Sequence, residues 1–235
     1  MSSAECYDVI GDLHGCTPSL RNLADLLGYD AHYSHPEGRK LAFVGDIADR
    51  GPDSVGALRL ILQLVESGKA WTVLGNHDAA LLEILTGSCG HTDDNRNTML
   101  TAEAIFAEPD GDSLREHLIR LFNATPTVLR LDRGRLILAH AGIEQEMLDR
   151  PIDDESRRFI LNGDVIGKSP DGKTLRRDWA ANYAGSAFIV YGHTPQPMPL
   201  VRDNSANIDT GAYRKNMLTA LRWPEREIVS VDSTW

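Results

Sequence analysis

Residues 40–68 read KLAFVGDIADRGPDSVGALRLILQLVESG. An apolar run stops at Gly45-Asp46, a polar turn follows, and SVGALRLILQLVESG then reads as a helix closed by a glycine. The same unit stands on either side. Upstream, CYDVIGD (6–12) is a short β-rich run ending at Gly-Asp, and PSLRNLADLLGYD (18–30) carries Leu20, Leu23, Leu26 and Leu27 at helical spacing. Pro18 suits the first turn of that helix and Gly28 its stop. Downstream, AWTVLGNHD (70–78) is a strand ending at Gly75, followed by the helical AALLEILTG (79–87). A β-α-β-α-β-α series is the pattern of parallel strands with helical crossovers. Ligands in such sheets sit outside the carboxyl ends of the strands. Each strand here delivers polar residues at that end: Asp12 and His14, then Asp46 and Asp49, then Asn76, His77 and Asp78.

Residues 86–128 read differently, as polar loops with one helix in DSLREHLIRLFNA (112–124), a segment expected to cover the site. Two further strands follow: RLILAHAGI leads to His140, and AFIVYGHTP leads to His193. The tail from Asn207 to Ser233 reads as short strands with turns, which suggests a second sheet. The expectation is one α/β (α+β) domain over residues 1–235, with a two-sheet central sandwich and helices outside.

Composition narrows the function. Hydrophobic content of 42% and charged content of 25% allow a sizeable core. No stretch approaches the roughly 20 apolar residues of a membrane span, and the start has no basic, then apolar, leader pattern. Three cysteines, Cys6, Cys16 and Cys89, are too few and unpatterned for a disulfide framework, so a cytoplasmic protein is expected. A net charge of −10 argues against strong non-specific nucleic-acid binding, which needs Lys and Arg to neutralise phosphates.

Five strand ends stand out: GDLHG, GDIADRG, GNHD, HAG and GHT. Singly, each has an ordinary explanation. Gly-Asp after a strand is a turn, a His after an apolar run is a hydrogen-bonded structural residue, and Asn-His-Asp is a helix cap. Together they put carboxylate, imidazole and carboxamide groups at the same end of successive strands. Asp, His and Asn without Cys suit Mn²⁺, Fe²⁺ or Zn²⁺. Two such ions about 3.5–4 Å apart can clamp an in-line displacement at phosphorus, and one carboxylate must then bridge them. Asp78 is expected to cap the following helix, Trp71 and Trp179 to fill core, and Cys16 and Cys89 to be packing residues or bystanders. His32, His35, His91 and His117 follow no motif and are assigned to surface or loops.

With GDxHG, GDxxDRG and GNH plus an acid in order, and two later histidine motifs, the sequence resembles the calcineurin-like metallophosphoesterases of the phosphoprotein phosphatase branch. The resemblance covers nearly the whole chain. It implies that Asp12 and His14 bind a first divalent metal, that Asp46 bridges, and that Asn76, His140 and His193 complete the second site. Manganese is favoured, with iron or zinc as alternatives. His77 then matches the acid that protonates the leaving oxygen, Asp49 the residue that orients it, and Arg50 a phosphate-binding arginine whose planar fork suits two phosphoryl oxygens. Asp209 could orient a ligand imidazole, and Arg176 or Arg177 could be a second phosphate arginine.

The later segment narrows the resemblance to bacterial diadenosine tetraphosphate hydrolases and protein phosphatases. It is also similar to the phosphatase module of bacterial polynucleotide kinase-phosphatases, although no Walker A motif is present. The implied activity is hydrolysis by metal-bound hydroxide, without a phosphoenzyme, of a dinucleoside polyphosphate. The alternatives are a Ser/Thr/Tyr protein phosphatase, a polynucleotide-end phosphatase, and a non-catalytic metal-binding module. The expected partners are therefore a phosphorylated small molecule, nucleotide or phosphopeptide, and no membrane.

Overall fold

The computed structural model describes residues 5–88 and 95–234. Strands β1 (Tyr7–Ile10), β2 (Lys40–Phe43) and β3 (Ala70–Thr72) run parallel, joined by helices α1 (Thr17–Leu27) and α2 (Ser54–Glu66). Their register sets Ile10 beside Phe43 and Phe43 beside Thr72, so the three strands end level. What leaves each strand therefore emerges along one edge. Helix α3 (Asn76–Leu85) starts at that edge.

Alternation along the strands explains the layers. Val9, Ala42 and Val44 face one way, into a core shared with Leu136, Leu138, Phe188 and Val190. Ile10, Leu41 and Phe43 face the other way, onto Leu20, Leu23, Leu58 and Ile61 of the helices. Burying Leu20, Leu23 and Leu27 contributes roughly 1.5–3 kcal/mol each, and Gly28 ends α1 in the left-handed conformation (φ 95°). Leu26 shares the helical spacing but points to solvent, 62% exposed.

The second sheet holds β4 (Val128–Leu131), β5 (Leu136–Ala139), β8 (Phe188–Tyr191), β9 (Leu200–Val201) and β10 (Ser205–Asn207), in the order β4-β5-β8-β10-β9. Its outer face packs on Ile143, Met147, Ile160 and Trp179, contributed by a region that includes the short α6 (Gln145–Leu148) and α7 (Asp154–Asn162). A separate hairpin, β6 (Asp164–Lys168) with β7 (Thr174–Arg177), lies largely exposed. The result is the expected two-sheet α/β sandwich flanked by helices. Among the described residues, no helix is long and apolar enough to cross a membrane.

Three expectations need correction. The tail does not build the second sheet alone. Only Asn207, the last residue of β10, joins it, while β11 (Met217–Trp223) and β12 (Glu227–Asp232) return to the first sheet, β11 lying antiparallel to β1. Residues 96–107 are helix rather than polar loop: α4 (Arg96–Ala107) precedes the expected α5 (Gly111–Ala124). The buried face of α4 is Thr98, Thr101, Ala102 and Ile105, half polar, so its periodicity carries little hydrophobic signal. Trp71 is 42% exposed, because β3 is an edge strand and that side chain points outward, with Lys40 Nζ 5.8 Å from its ring centre. Cys89 and His91 lie outside the described residues.

The sheets meet closely beyond the end of β1. A Cβ on Gly11 would lie 2.3 Å from the backbone carbonyl of Ile208. Gly11→Ala is expected to lower stability by about 1–3 kcal/mol, read as a lower midpoint in urea unfolding. An unchanged midpoint would show that the two sheets separate freely there.

Candidate metal centre

The level strand ends bring the polar turns together. His14 N–H donates to the carbonyl of Asp46 (2.9 Å), and Gly15 N–H to that of Ile47 (2.8 Å), tying the first turn to the second. In the second sheet β5 and β8 are parallel, and Gly192 N–H donates to the carbonyl of His140 (2.7 Å), setting His140 and His193 side by side. His14, Asp46, Asp49, Arg50 and His193 all have left-handed backbone, with φ of 43°, 51°, 73°, 68° and 71°. Such conformations cost of order 1–3 kcal/mol each and persist only where the surroundings enforce them.

One enforcing group is Asp78. Its buried carboxylate accepts from the backbone N–H groups of Gly75 (2.9 Å), Asp46 (2.9 Å) and Ile47 (3.1 Å). It caps α3, as expected, and also pins the β2 turn to the helix. A Cβ on Gly75 would lie 2.3 Å from both the backbone N and the Oδ1 of Asp46, so the approach needs glycine.

Asp46 sits at the centre. Its Oδ2 is 3.5 Å from His14 Nε2 and its Oδ1 is 3.4 Å from His140 Nε2. Among the described residues, two groups of donor atoms, each within a 4.8 Å span, share this carboxylate: His14 with His77, and His140 with His193. Asn76 Oδ1 lies 2.9 Å from both His140 Nε2 and His193 Nδ1, which are themselves 3.1 Å apart. His77 therefore stands in donor range of the first group, while its Nδ1 is committed to Asp49 Oδ2 at 2.6 Å. The Asp12 carboxylate accepts from the backbone N–H of His193 (3.1 Å to Oδ2).

The tautomers follow from the partners. Nδ1 of His14 lies 2.8 Å from the carbonyl of Ala48, and Nδ1 of His140 lies 2.8 Å from that of Val44. A carbonyl only accepts, so each Nδ1 carries a proton and each Nε2 is the ring atom left facing Asp46. Around His140 Nε2 stand an amide oxygen, a carboxylate oxygen and a second imidazole nitrogen. Acceptors this close need a positive charge among them, which a proton on His140 supplies in the metal-free protein and a metal ion can supply in its place. Burial acts to depress His140, but the Asp46 charge prevails and pushes its pKa up to about 10. Burial likewise acts to raise the Asp46 carboxyl, yet the imidazoles of His140, His77 and His14 hold it well below the usual range. Asp12 goes the other way, raised first by burial and then by Asp209 and Asp46. His193 Nε2 is buried without a hydrogen-bond partner among the described residues. A thiolate-free Asp/His/Asn set whose donor atoms converge fits divalent metal ions.

Two arginines flank the cluster. Arg50 Nη1 is 3.0 Å from His14 Nε2, and the guanidinium lies 4.9 Å from the Tyr213 ring centre. Arg176 lines a cleft of about 230 Å³ bounded also by Ala141, Gly192 and Thr194, and its charge helps depress His193. Its Nε donates to the carbonyl of Asn162 (2.6 Å). Arg177 lines the same cleft but is mostly exposed, 3.4 Å from Asp164. Asp209 lies at the site, with no hydrogen bond to an imidazole among the described residues. Its Oδ1 accepts from Gly211 N–H (3.0 Å), its Oδ2 is buried without a partner among the described residues, and backbone carbonyls already occupy Nδ1 of His14 and His140.

Sequence reasoning misses three contributions. Thr98 and Thr101 of α4 donate to Asp49, each at 2.6 Å. Tyr213 stacks beneath Arg50 and lies edge-on to His14, 4.8 Å between ring centres. Asp78 reads in the sequence as a helix cap alone. The i, i+3 spacing of the two threonines is the one signal the sequence carries.

Two packed sheets with outer helices, and a buried Asp/His/Asn cluster where their strands end, define an α/β-sandwich metalloenzyme. The chain belongs to the calcineurin-like phosphoesterase family, whose model matches residues 7–203. That family works with a dinuclear divalent-metal centre, and the two groups sharing Asp46 are the candidate ligands. An asymmetrical bis(5′-nucleosyl)-tetraphosphatase PrpE of Geobacillus sp. (strain WCH70) is 42% identical over 233 residues, 97% of this chain and 94% of that protein. The same enzyme of Anoxybacillus flavithermus is 42% identical over 232 residues, with the same coverage. The crystal structure of a candidate diadenosine tetraphosphatase superposes with a TM-score of 0.72 at 24% identity, covering 99% of this chain and 96% of the other.

Asp78→Ala leaves three backbone N–H groups without their acceptor. At about 1–3 kcal/mol for each buried group left unpaired, a loss of about 3 kcal/mol or more is expected, measured by thermal unfolding. A loss below about 1 kcal/mol would remove Asp78 from this role.

Proposed function

We propose that this chain hydrolyses dinucleoside polyphosphates asymmetrically, with a dinucleoside tetraphosphate as the preferred substrate. The observation that carries the chemistry is Asp46, one carboxylate shared by two donor groups, with a guanidinium on each side. The substrate class rests on the relatives at 42% identity over nearly their whole length. Asp12, His14, Asp46, Asn76, His140 and His193 would hold two divalent ions, Mn²⁺ before Fe²⁺ or Zn²⁺, whose Lewis acidity would act on the phosphoryl group and on water. The cysteine usage supports a cytoplasmic setting.

The chain's own residues do the rest. Arg50 meets the phosphoryl oxygens from the His14 side, and the Tyr213 ring supports its guanidinium. Arg176 approaches from the His193 side and is the better second phosphate arm, because Arg177 is drawn to Asp164. His77 gives its Nε2 proton to the departing phosphate oxygen. The donor is the imidazolium, and Asp49 holds its Nδ1–H, so the proton it releases is the one on Nε2. Burial would lower His77, but Asp46 and the Asp49 hydrogen bond outweigh it, so His77 stays protonated above the ordinary histidine range.

A donor with a raised pKa is active below that value and lost as pH rises through it. The turnover rate of the Mn²⁺-loaded protein is expected to fall on the alkaline side, as His77 loses its proton. His77→Asn should remove that limb and cost about 10²–10⁴ in kcat. A limb that persists in His77→Asn would assign the proton to another group.

Substrate choice is tested by a panel of diadenosine tetraphosphate, a phosphopeptide and a 3′-phosphorylated oligonucleotide. The dinucleotide is expected to have the highest kcat/KM by about tenfold or more, yielding ATP and AMP. A chelator should abolish turnover and Mn²⁺ restore it. Asp46→Asn should cost at least about 10³-fold, several kcal/mol of lost charge stabilisation. A faster phosphopeptide would transfer the assignment to protein phosphatases.

A further inference from the structure

We infer that Thr98 and Thr101 are positioning residues that hold Asp49, and through it His77, in the geometry for proton donation. This rests on the reading of His77 as the proton donor. Asp49 is 1% exposed and has left-handed backbone (φ 73°), so its carboxylate has no access to solvent hydrogen bonds. Oδ2 accepts from His77 Nδ1 and from Thr98 Oγ1, both at 2.6 Å, and Oδ1 accepts from Thr101 Oγ1 at 2.6 Å. The Asp49 backbone N–H is held separately by Ser54 Oγ at 2.9 Å. Without the two hydroxyls, one imidazole would be the sole side-chain donor among the described residues to a buried anion. The carboxylate could then turn about its terminal torsion, which is broad and weakly restrained, and the imidazole would turn with it.

The residue types fit this role and fit a purely structural one poorly. Threonine is a weak helix former, yet two of them occupy the inward face of α4 one turn apart, both buried. An interior threonine commonly bonds back to the carbonyl four residues earlier. Thr101 has that option at 3.3 Å to Asn97, but the shorter contact is to Asp49. β-Branching stiffens χ1, so each hydroxyl is aimed at little entropic cost. Packing alone would be served equally well by valine, which has the same shape and no donor.

The test compares Thr98→Val/Thr101→Val with Thr98→Ser/Thr101→Ser, each loaded with Mn²⁺, on phenyl phosphate and 2,4-dinitrophenyl phosphate. Phenolate is a poor leaving group and needs a proton, whereas dinitrophenolate leaves without one. The valine pair is expected to lose about tenfold more kcat on phenyl phosphate than on the dinitrophenyl ester, a fraction of what a general acid supplies. The serine pair should stay within about threefold of the parent on both. In the metal-free protein with ¹⁵N-labelled histidine, at a pH where His77 is neutral, the valine pair should also lose its single Nδ1–H tautomer. If the double variant does not fold, Thr101→Val alone is measured the same way. Equal losses on both esters, with the His77 tautomer unchanged, would overturn the inference. His77→Asn separates the two layers: if it too shows no leaving-group preference, the proton-donor reading fails and the threonine inference with it. A steep preference in His77→Asn beside a flat valine pair overturns the threonines alone.

Discussion

Three backbone N–H groups converge on the buried carboxylate of Asp78, and the arrangement of the site descends from that contact. Two of them belong to Asp46 and Ile47, in the turn after β2, and one to Gly75, at the start of α3. A turn of left-handed residues cannot hold its own shape. Here the next loop holds it. With its backbone fixed, Asp46 receives the backbone N–H of His77 on Oδ1 (3.0 Å) and turns its two oxygens toward histidines from both sheets. Burial and the neighbouring Asp46 raise Asp78 to about 6, and the backbone N–H groups work against that rise. Near neutral pH the clamp thus remains mainly an anion, the form that accepts all three bonds.

Around this clamp the site is a sequence of held groups. Asp46 faces histidines whose remaining nitrogens are fixed by the carbonyls of Ala48 and Val44. Asp49 faces His77 and is fixed by α4. Arg50, though exposed, is backed by Tyr213. A site that must present several anionic and neutral donors to cations cannot let them relax toward one another when the cations leave. Rigid backbone contacts, rather than the donors' mutual attraction, supply that resistance.

Much of this is legible in the sequence because it is local. Each strand, its Gly-Asp or Gly-Asn stop and the following helix are contiguous, so residue order alone places Asp12, Asp46, Asn76 and their neighbours at one sheet edge. Long-range features are not legible. Nothing in MLTALRW indicates that it pairs with YDVI at the other end of the chain, since pairing across a sheet leaves no periodic mark. Helix α4 is hidden because two positions of its buried stripe are threonines. Trp71 reads as core because an aromatic residue in a strand says nothing about which face is covered. Asp209 can be located, but its hydrogen bonds depend on which imidazole nitrogens the backbone has already taken.

The return of β11 to β1 has a consequence for how the molecule is made. Tyr7 lies beside Trp223 and Ile10 beside Ala220, so β1 waits for a neighbour translated much later. During synthesis at about 5–20 residues per second, β1 can pair with β2 early, but its opposite edge stays open until residues 217–223 leave the ribosome. An unpaired strand edge is a template for association with other chains. The interval between the two strands is therefore the period in which a chaperone has most to protect, and the ribosome-bound chain has not yet closed its first sheet.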